Sequence, residues 1–294
     1  MIAYILLGVS GILNSLNTVL TKKFQQGFKM DTIHFVMYNF AGAVIGSIYF
    51  FIASGFKIEM NRITFMFSVI YAASVFLSLV LSIYILSKIS ISLTSITSTS
   101  ASIISASVGG MIFFGEQITL RHIVSALLII AAVVIPYRKL IKTGLTKKSI
   151  WACIIYFCYV SVAGLIPKFY TRAEGACSSV SWFFMTNLIL VVVCGILAFC
   201  YALKKHEKIG NVLCMLTPGQ LGNLAVRTGI NNICSVLNVV ILTTMAISVC
   251  SVISSSLGLV LSAVVSAAVF KEYLPKENKI GVALAVAAVI ISSL

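Results

Sequence analysis

The chain is 294 residues long, 60% hydrophobic and only 10% charged, with a mean hydropathy of +1.10. Apolar runs such as Ile123 to Pro136 recur along it with no polar face wide enough for water, which excludes a soluble globular domain and makes this a polytopic membrane protein. The net charge of +14 is gathered in short basic clusters between the apolar runs, the pattern of loops that set topology, so the partner it implies is the lipid bilayer and not nucleic acid.

Runs long enough to cross about 30 Å of hydrocarbon predict ten helices. They cover residues 2–20, 32–54, 63–87, 89–114, 119–136, 149–169, 178–202, 219–244, 246–270 and 276–294. Met1 leads directly into an apolar run with no basic leader and no small-residue cleavage site, so that run is expected to be a span and not a signal peptide. Thr119 is placed to cap span five, Pro275 to open span ten, and Thr217-Pro218 to open span eight. The eight cysteines, at 153, 158, 177, 194, 200, 214, 234 and 250, make no CxxC pair and fall mostly inside apolar runs. They define neither a metal site nor a disulfide framework, and no cofactor is implied.

One stretch is written twice. Tyr84–Ile135 aligns without a gap to Val240–Ile291 at an offset of 156, with 15 identities over 52 positions. The matches include Ser92/Ser248, Ser95/Ser251, Ser98/Ser254, Ser100/Ser256, Phe114/Phe270 and Glu116/Glu272, which marks an internal duplication. It extends more faintly into earlier spans, where Met37-Tyr38-Asn39-Phe40 resembles Met185-Thr186-Asn187-Leu188 and Lys23-Phe24 resembles Lys168-Phe169. The halves are residues 1–137 and 149–294, joined by a basic linker at 138–148. A five-span unit repeated in tandem enters the membrane the second time from the other side. The expected fold is therefore all-α integral membrane, ten transmembrane helices in two inverted five-helix repeats.

Two five-span halves, small-residue spans four and nine, and Phe114-Gly115-Glu116 and Phe270-Lys271-Glu272 closing those spans before a capped helix resemble the drug/metabolite transporter superfamily, in its ten-span EamA-like branch. The resemblance covers nearly the whole chain. It implies a secondary carrier for small metabolites, often an exporter, in a cytoplasmic (inner) membrane of the bacterial kind, with no ATPase and no enzymatic activity. It also implies both termini in the cytoplasm. The loops speak otherwise, because the odd-numbered loops hold 15 Lys and Arg against 5 in the even ones, which by the positive-inside rule puts both termini outside. Orientation thus stays open, as do the coupling ion and the oligomeric state.

No Asp or Glu falls in the middle of any span, which argues against a buried carboxylate trading a proton for solute. Glu116 and Glu272 sit at helix ends, where turn hydrogen bonding or an interfacial charge accounts for them. Ser92, Ser95, Thr99 and Ser102 share one helical face, and so do Ser248, Ser251, Ser255, Gly258 and Ser262. Close helix packing explains such faces, with hydroxyls bonding back one turn; so does a cavity lined by neutral hydrogen-bonding groups.

Span eight carries the sharpest local pattern. Asn223, Arg227, Asn231 and Asn238, at spacings of four, four and seven, lie on one face. An Arg227 buried there forks onto a carboxylate or phosphate; an Arg227 near the membrane edge reaches the headgroups instead. Further candidates to line a cavity are Asn14 on span one, Tyr38 and Asn39 on span two, Tyr71 on span three, and Tyr156 and Tyr159 on span six, while His34 and Lys168 are placed near span ends as interfacial groups. The leading function is alternating-access transport of a small polar or amphiphilic metabolite such as an amino acid. A lipid-headgroup flippase, a membrane receptor or assembly subunit, and a membrane-embedded enzyme are the alternatives. The last lacks any buried acid–base pair, metal spacing or activated nucleophile in the sequence.

Overall fold

A computed structural model describes residues 2–26, 32–86, 91–117, 119–141, 147–205, 216–268 and 276–293. Among these the protein is all-helical, with ten helices: α1 (Ile2–Gln26), α2 (Thr32–Ala53), α3 (Arg62–Leu86), α4 (Ile91–Phe114), α5 (Leu120–Ile141), α6 (Lys147–Arg172), α7 (Ser179–Lys205), α8 (Pro218–Thr244), α9 (Ile247–Ala268) and α10 (Lys276–Ser293). Four of them are long and apolar enough over described residues to cross a membrane: those containing Val36–Ala53, Ile154–Arg172, Ser179–Lys204 and Pro218–Thr244. A helix stands at each of the ten predicted positions. α1 and α5 run on past their predicted ends, to Gln26 and Ile141, because Lys, Arg and Gln are good helix formers and a membrane surface does not itself stop a helix.

α8 opens on the expected cap. The Thr217 backbone amide donates to Gln220 Oε1 at 2.7 Å, and the Gln220 amide donates back to Thr217 Oγ1 at 3.4 Å, ahead of Pro218 in the first turn. Phe270, Glu272 and Pro275 lie outside the described residues.

The distribution of side chains is that of a protein in lipid. Large apolar groups such as Phe51, Phe65, Met111, Leu127, Val192 and Ile196 are exposed, whereas Ala101, Ala132, Ala285, Ala288, Ser68, Ser125 and Ser256 are buried. Hydrocarbon outside is as apolar as leucine, so helices associate by close approach of small residues and not by hiding large ones.

The chain divides into two compact units, each drawing segments from both halves of the sequence. The first comprises Met1–Ser15, Leu77–Arg172 and Leu237–Leu294. Here α5 packs on α10, and α4 packs on α5, α6 and α9. At the centre of its seam lie Ile129, Ala132, Ala285 and Ala288, all at most 1% exposed. Residues 129 and 132 plus the repeat offset are 285 and 288, so sequence equivalents share one core. Such self-matching contact is the mark of a two-fold relation. Gly11 on α1 lies against Leu257 and Leu261 of α9, and Gly109 on α4 lies against Leu165 of α6.

A bulky group in this seam has nowhere to go. Ala288→Phe should lower stability by about 1–3 kcal/mol, read as the thermal midpoint of protein purified in detergent. Val286→Phe, on an outward position of the same helix, should leave that midpoint in place.

The second unit comprises Leu16–Phe76 and Ala173–Val236. α2 packs on α7 through Ile33, Met37, Ala198 and Ala202. Gly46 makes room for the Asn187 amide, whose oxygen would lie 2.7 Å from a Cβ at that position. Trp182, fully buried, stacks on Phe183, and the Tyr71 ring meets both of them at an angle. The α2–α3 and α6–α7 connections are tied together: Asn61 caps α3 through the Thr64 amide at 2.8 Å and donates to the Gly175 carbonyl, and the Cys177 amide donates to Thr64 Oγ1 at 3.0 Å.

Candidate functional site

The first unit contains a cleft of about 160 Å³. α4 supplies Ser102, Ser105 and Ala106; α6 supplies Gly164; the end of α8 supplies Asn238 and Leu242; α9 supplies Ile247, Cys250, Ser251, Ser254 and Ser255. None of these side chains is charged. Ser251 and Ser255 both line it, and α4 meets them with the hydroxyl face that ends in Ser102. Part of the hydroxyl inventory also does what small-residue packing predicts: Ser105 donates to the Ser102 carbonyl at 3.2 Å and Ser251 to that of Ser248 at 2.9 Å. A hydroxyl that donates to its own helix keeps its oxygen lone pairs for another partner, so the two roles are compatible.

One end of this cleft is the break between α8 and α9, where Leu242 and Ile247 line it. The break leaves carbonyls at the end of α8 and amides at the start of α9 without helical partners. Both sets are met by charged side chains from elsewhere in the chain. Lys168 Nζ donates to the Leu242 carbonyl at 2.7 Å and to the Met245 carbonyl at 2.8 Å. Glu116 Oε1 accepts from the Ile247 amide at 2.7 Å, and its Oε2 accepts from the Ser248 hydroxyl at 2.8 Å and amide at 3.3 Å. A cation at a helix C-terminus and an anion at an N-terminus each oppose the local dipole in the favourable sense.

The local sequence builds the seat for Glu116. Gly115, at φ +64°, takes the left-handed turn that ends α4, and the Glu116 amide folds back onto the Gly110 carbonyl at 3.0 Å. A Cβ on Gly110 would stand 2.6 Å from Glu116 Oε2. Only glycine fits there.

Lys168 is therefore not an interfacial group. It is 3% exposed, because α6 continues to Arg172 and the helix break supplies carbonyl oxygens that solvate the ammonium. The expectation for Glu116 as a helix-end hydrogen-bonding group holds, but the amides it binds lie 131 and 132 residues further on.

The second unit holds the other charged group of interest. Arg227 Nε donates to Asn17 Oδ1 at 3.2 Å, Nη1 donates to the Tyr38 hydroxyl at 2.5 Å, and the guanidinium carbon stands 5.4 Å from the Tyr38 ring centroid. Both hydrogen-bond partners are neutral. Asn223, one turn earlier on the same face, has its Oδ1 buried without a hydrogen-bond partner among the described residues. Tyr38 and Arg227 are thus brought together, with Asn17 beside them.

The remaining candidates fall elsewhere. Tyr71 belongs to the aromatic stack on Trp182. Tyr156 and Tyr159 face one another on α6 with ring centroids 6.4 Å apart. Asn14 on α1 and Asn231 on α8 are exposed, and Asn39 on α2 is half-buried. Ser95 and Thr99 lie in α4, but their side chains are outside the described set. Lining residues that sequence reasoning passed over are Ser105, Gly164 and Cys250; the paired glycines at 109–110 before Glu116 were the available sign that something seats tightly at that helix end.

Residues 1–138 match the EamA-like transporter family. The match covers the first of the two halves that the duplication defines, and bears out over that stretch the resemblance to the drug/metabolite transporter superfamily. Members of the EamA-like family are membrane transporters of small solutes, and the long apolar helices of this chain accord with a multi-pass integral membrane protein. A solved crystal structure is similar over 99% of this chain and 98% of its own, with a TM-score of 0.73 at 13% identity. At that identity the likeness concerns the fold alone. No curated protein matches the chain in sequence.

Proposed function

We propose that this EamA-like protein is a secondary active carrier that moves a small polar or amphiphilic metabolite, such as an amino acid, across a bacterial-type cytoplasmic membrane by alternating access. The observation that carries the reading is the cleft of about 160 Å³ lined by Ser102, Ser105, Asn238, Ser251, Ser254 and Ser255, a wall of neutral hydrogen-bonding groups. Its walls come from α4 and α9, equivalent helices of the duplication, from residues 1–137 and 149–294 joined by the linker 138–148. Inverted repeats meeting at a solute site are able to exchange conformations and open it to each side in turn. Arg227, whose hydrogen-bond partners among the described residues are the neutral Asn17 and Tyr38, is suited to a solute carboxylate.

Counterflow of a radiolabelled amino-acid panel into proteoliposomes tests this directly. Ser251→Phe fills the cleft from α9 and should abolish counterflow while the thermal midpoint stays near that of the parent. Undiminished counterflow in the folded variant puts the solute path elsewhere.

A further inference from the structure

A site selects its ligand by the protons and lone pairs it has left to offer, and around the cleft the protons are largely committed. Ser105 gives its proton to the Ser102 carbonyl at 3.2 Å, and Ser251 gives its proton to the Ser248 carbonyl at 2.9 Å. Turning either hydroxyl toward a solute would break a bond it already makes. At the Ile247 end, the Ile247 amide and the Ser248 amide and hydroxyl all donate to the Glu116 carboxylate, so these three donors are closed to an incoming anion. The lone pairs are a different matter, because a serine that donates to its own helix still has its oxygen free to accept. The Ser102, Ser254 and Ser255 hydroxyls and the Asn238 amide complete the wall and serve in either sense.

The balance favours acceptance, and it rests on neutral oxygens. The chain shows close by that such oxygens suffice for an ammonium: the buried Lys168 Nζ, capping α8, donates to the Leu242 and Met245 carbonyls at 2.7 and 2.8 Å. At about 160 Å³ the cleft has room for roughly six heavy atoms, since a cavity of about 150 Å³ takes benzene.

We propose that this cleft binds the N–H-bearing head of its solute, a primary ammonium, on the hydroxyl oxygens of Ser105 and Ser251. The inference rests on the carrier reading above and adds to it which group of the solute this cleft reads. A quaternary ammonium carries the same charge without a proton to donate, and a carboxylate brings acceptors to a wall of acceptors. Both are refused.

Thermal midpoints in detergent test this with about 100 mM n-propylammonium, trimethylammonium or tetramethylammonium chloride, or sodium propionate, each against sodium chloride. The first two cations are isomers, equal in charge and close in volume, with three N–H donors against one. n-Propylammonium should raise the midpoint by roughly 2–4 °C, since a ligand bound only by the folded state stabilises it. Trimethylammonium should give less than half of that gain, and tetramethylammonium and propionate none. Ser251→Ala should melt like the parent in sodium chloride and lose the n-propylammonium gain; Ser251→Thr keeps the oxygen and should retain it. Equal gains from the two isomers, no gain from n-propylammonium, or an undiminished gain in Ser251→Ala overturns the proposal. Should Ser251→Ala fail to fold, Ser105→Ala takes its place. The two readings fail separately. If no amino acid of the panel shows counterflow, the carrier reading fails while the isomer difference still reports on the cleft. If counterflow proceeds and both isomers inhibit it equally, the carrier stands and the ammonium assignment falls.

Discussion

Glu116→Ala should cost the fold about 3 kcal/mol, an estimate from the loss of one partner in a part-buried charged arrangement. Three donors at the start of α9 depend on this carboxylate: the Ile247 amide and the Ser248 amide and hydroxyl. Removing it also leaves the Lys168 ammonium without the negative charge across the break. The measurement is the thermal midpoint in detergent, with an expected fall of roughly 5–10 °C. Glu116→Gln keeps one acceptor oxygen and should fall about half as far. A shift of about 1 °C or less for Glu116→Ala means that water or a neighbouring group takes over the carboxylate's place, and the junction is not held as described.

The second large effect belongs to Arg227. Charge-assisted hydrogen bonds to a carboxylate contribute about 1.5–3 kcal/mol, or roughly 10- to 100-fold in affinity. Arg227→Gln should therefore raise KM for amino acids by that factor and leave their carboxamides nearly unaffected. Asn17→Ala and Tyr38→Phe, which loosen the guanidinium without removing it, should give smaller changes of the same selectivity. Equal losses for acids and amides, or none, would mean that Arg227 acts through packing and not as an anion anchor.

The spans were legible because lipid leaves so few ways to satisfy a backbone: an apolar run of the right length has to be helix. The duplication was legible for a similar reason, since Ala132 and Ala288 are constrained to stay small where helices approach closely. Ser251 and Ser255 in the cleft followed from helical period alone. Lys168 did not follow. A lysine near the end of an apolar run looks interfacial because lysines there usually are, and the carbonyls that solvate it lie 74 and 77 residues away at a break visible in the sequence only as a change of span. The contact between Tyr71 and Trp182 was likewise not legible, because the two rings come from helices far apart in sequence.

The α5–α10 seam bears on how such a chain came to be. Ile129 and Ala285 hold equivalent places in the two copies and lie in the same buried cluster, a large residue answering a small one. Two separate identical subunits could not meet in that way, for each would bring the same group to both sides, isoleucine to isoleucine or alanine to alanine. The mismatch in volume is open only to copies that differ in sequence, as the two halves of this chain do. It gives each half a shape suited to its sibling and no longer to itself.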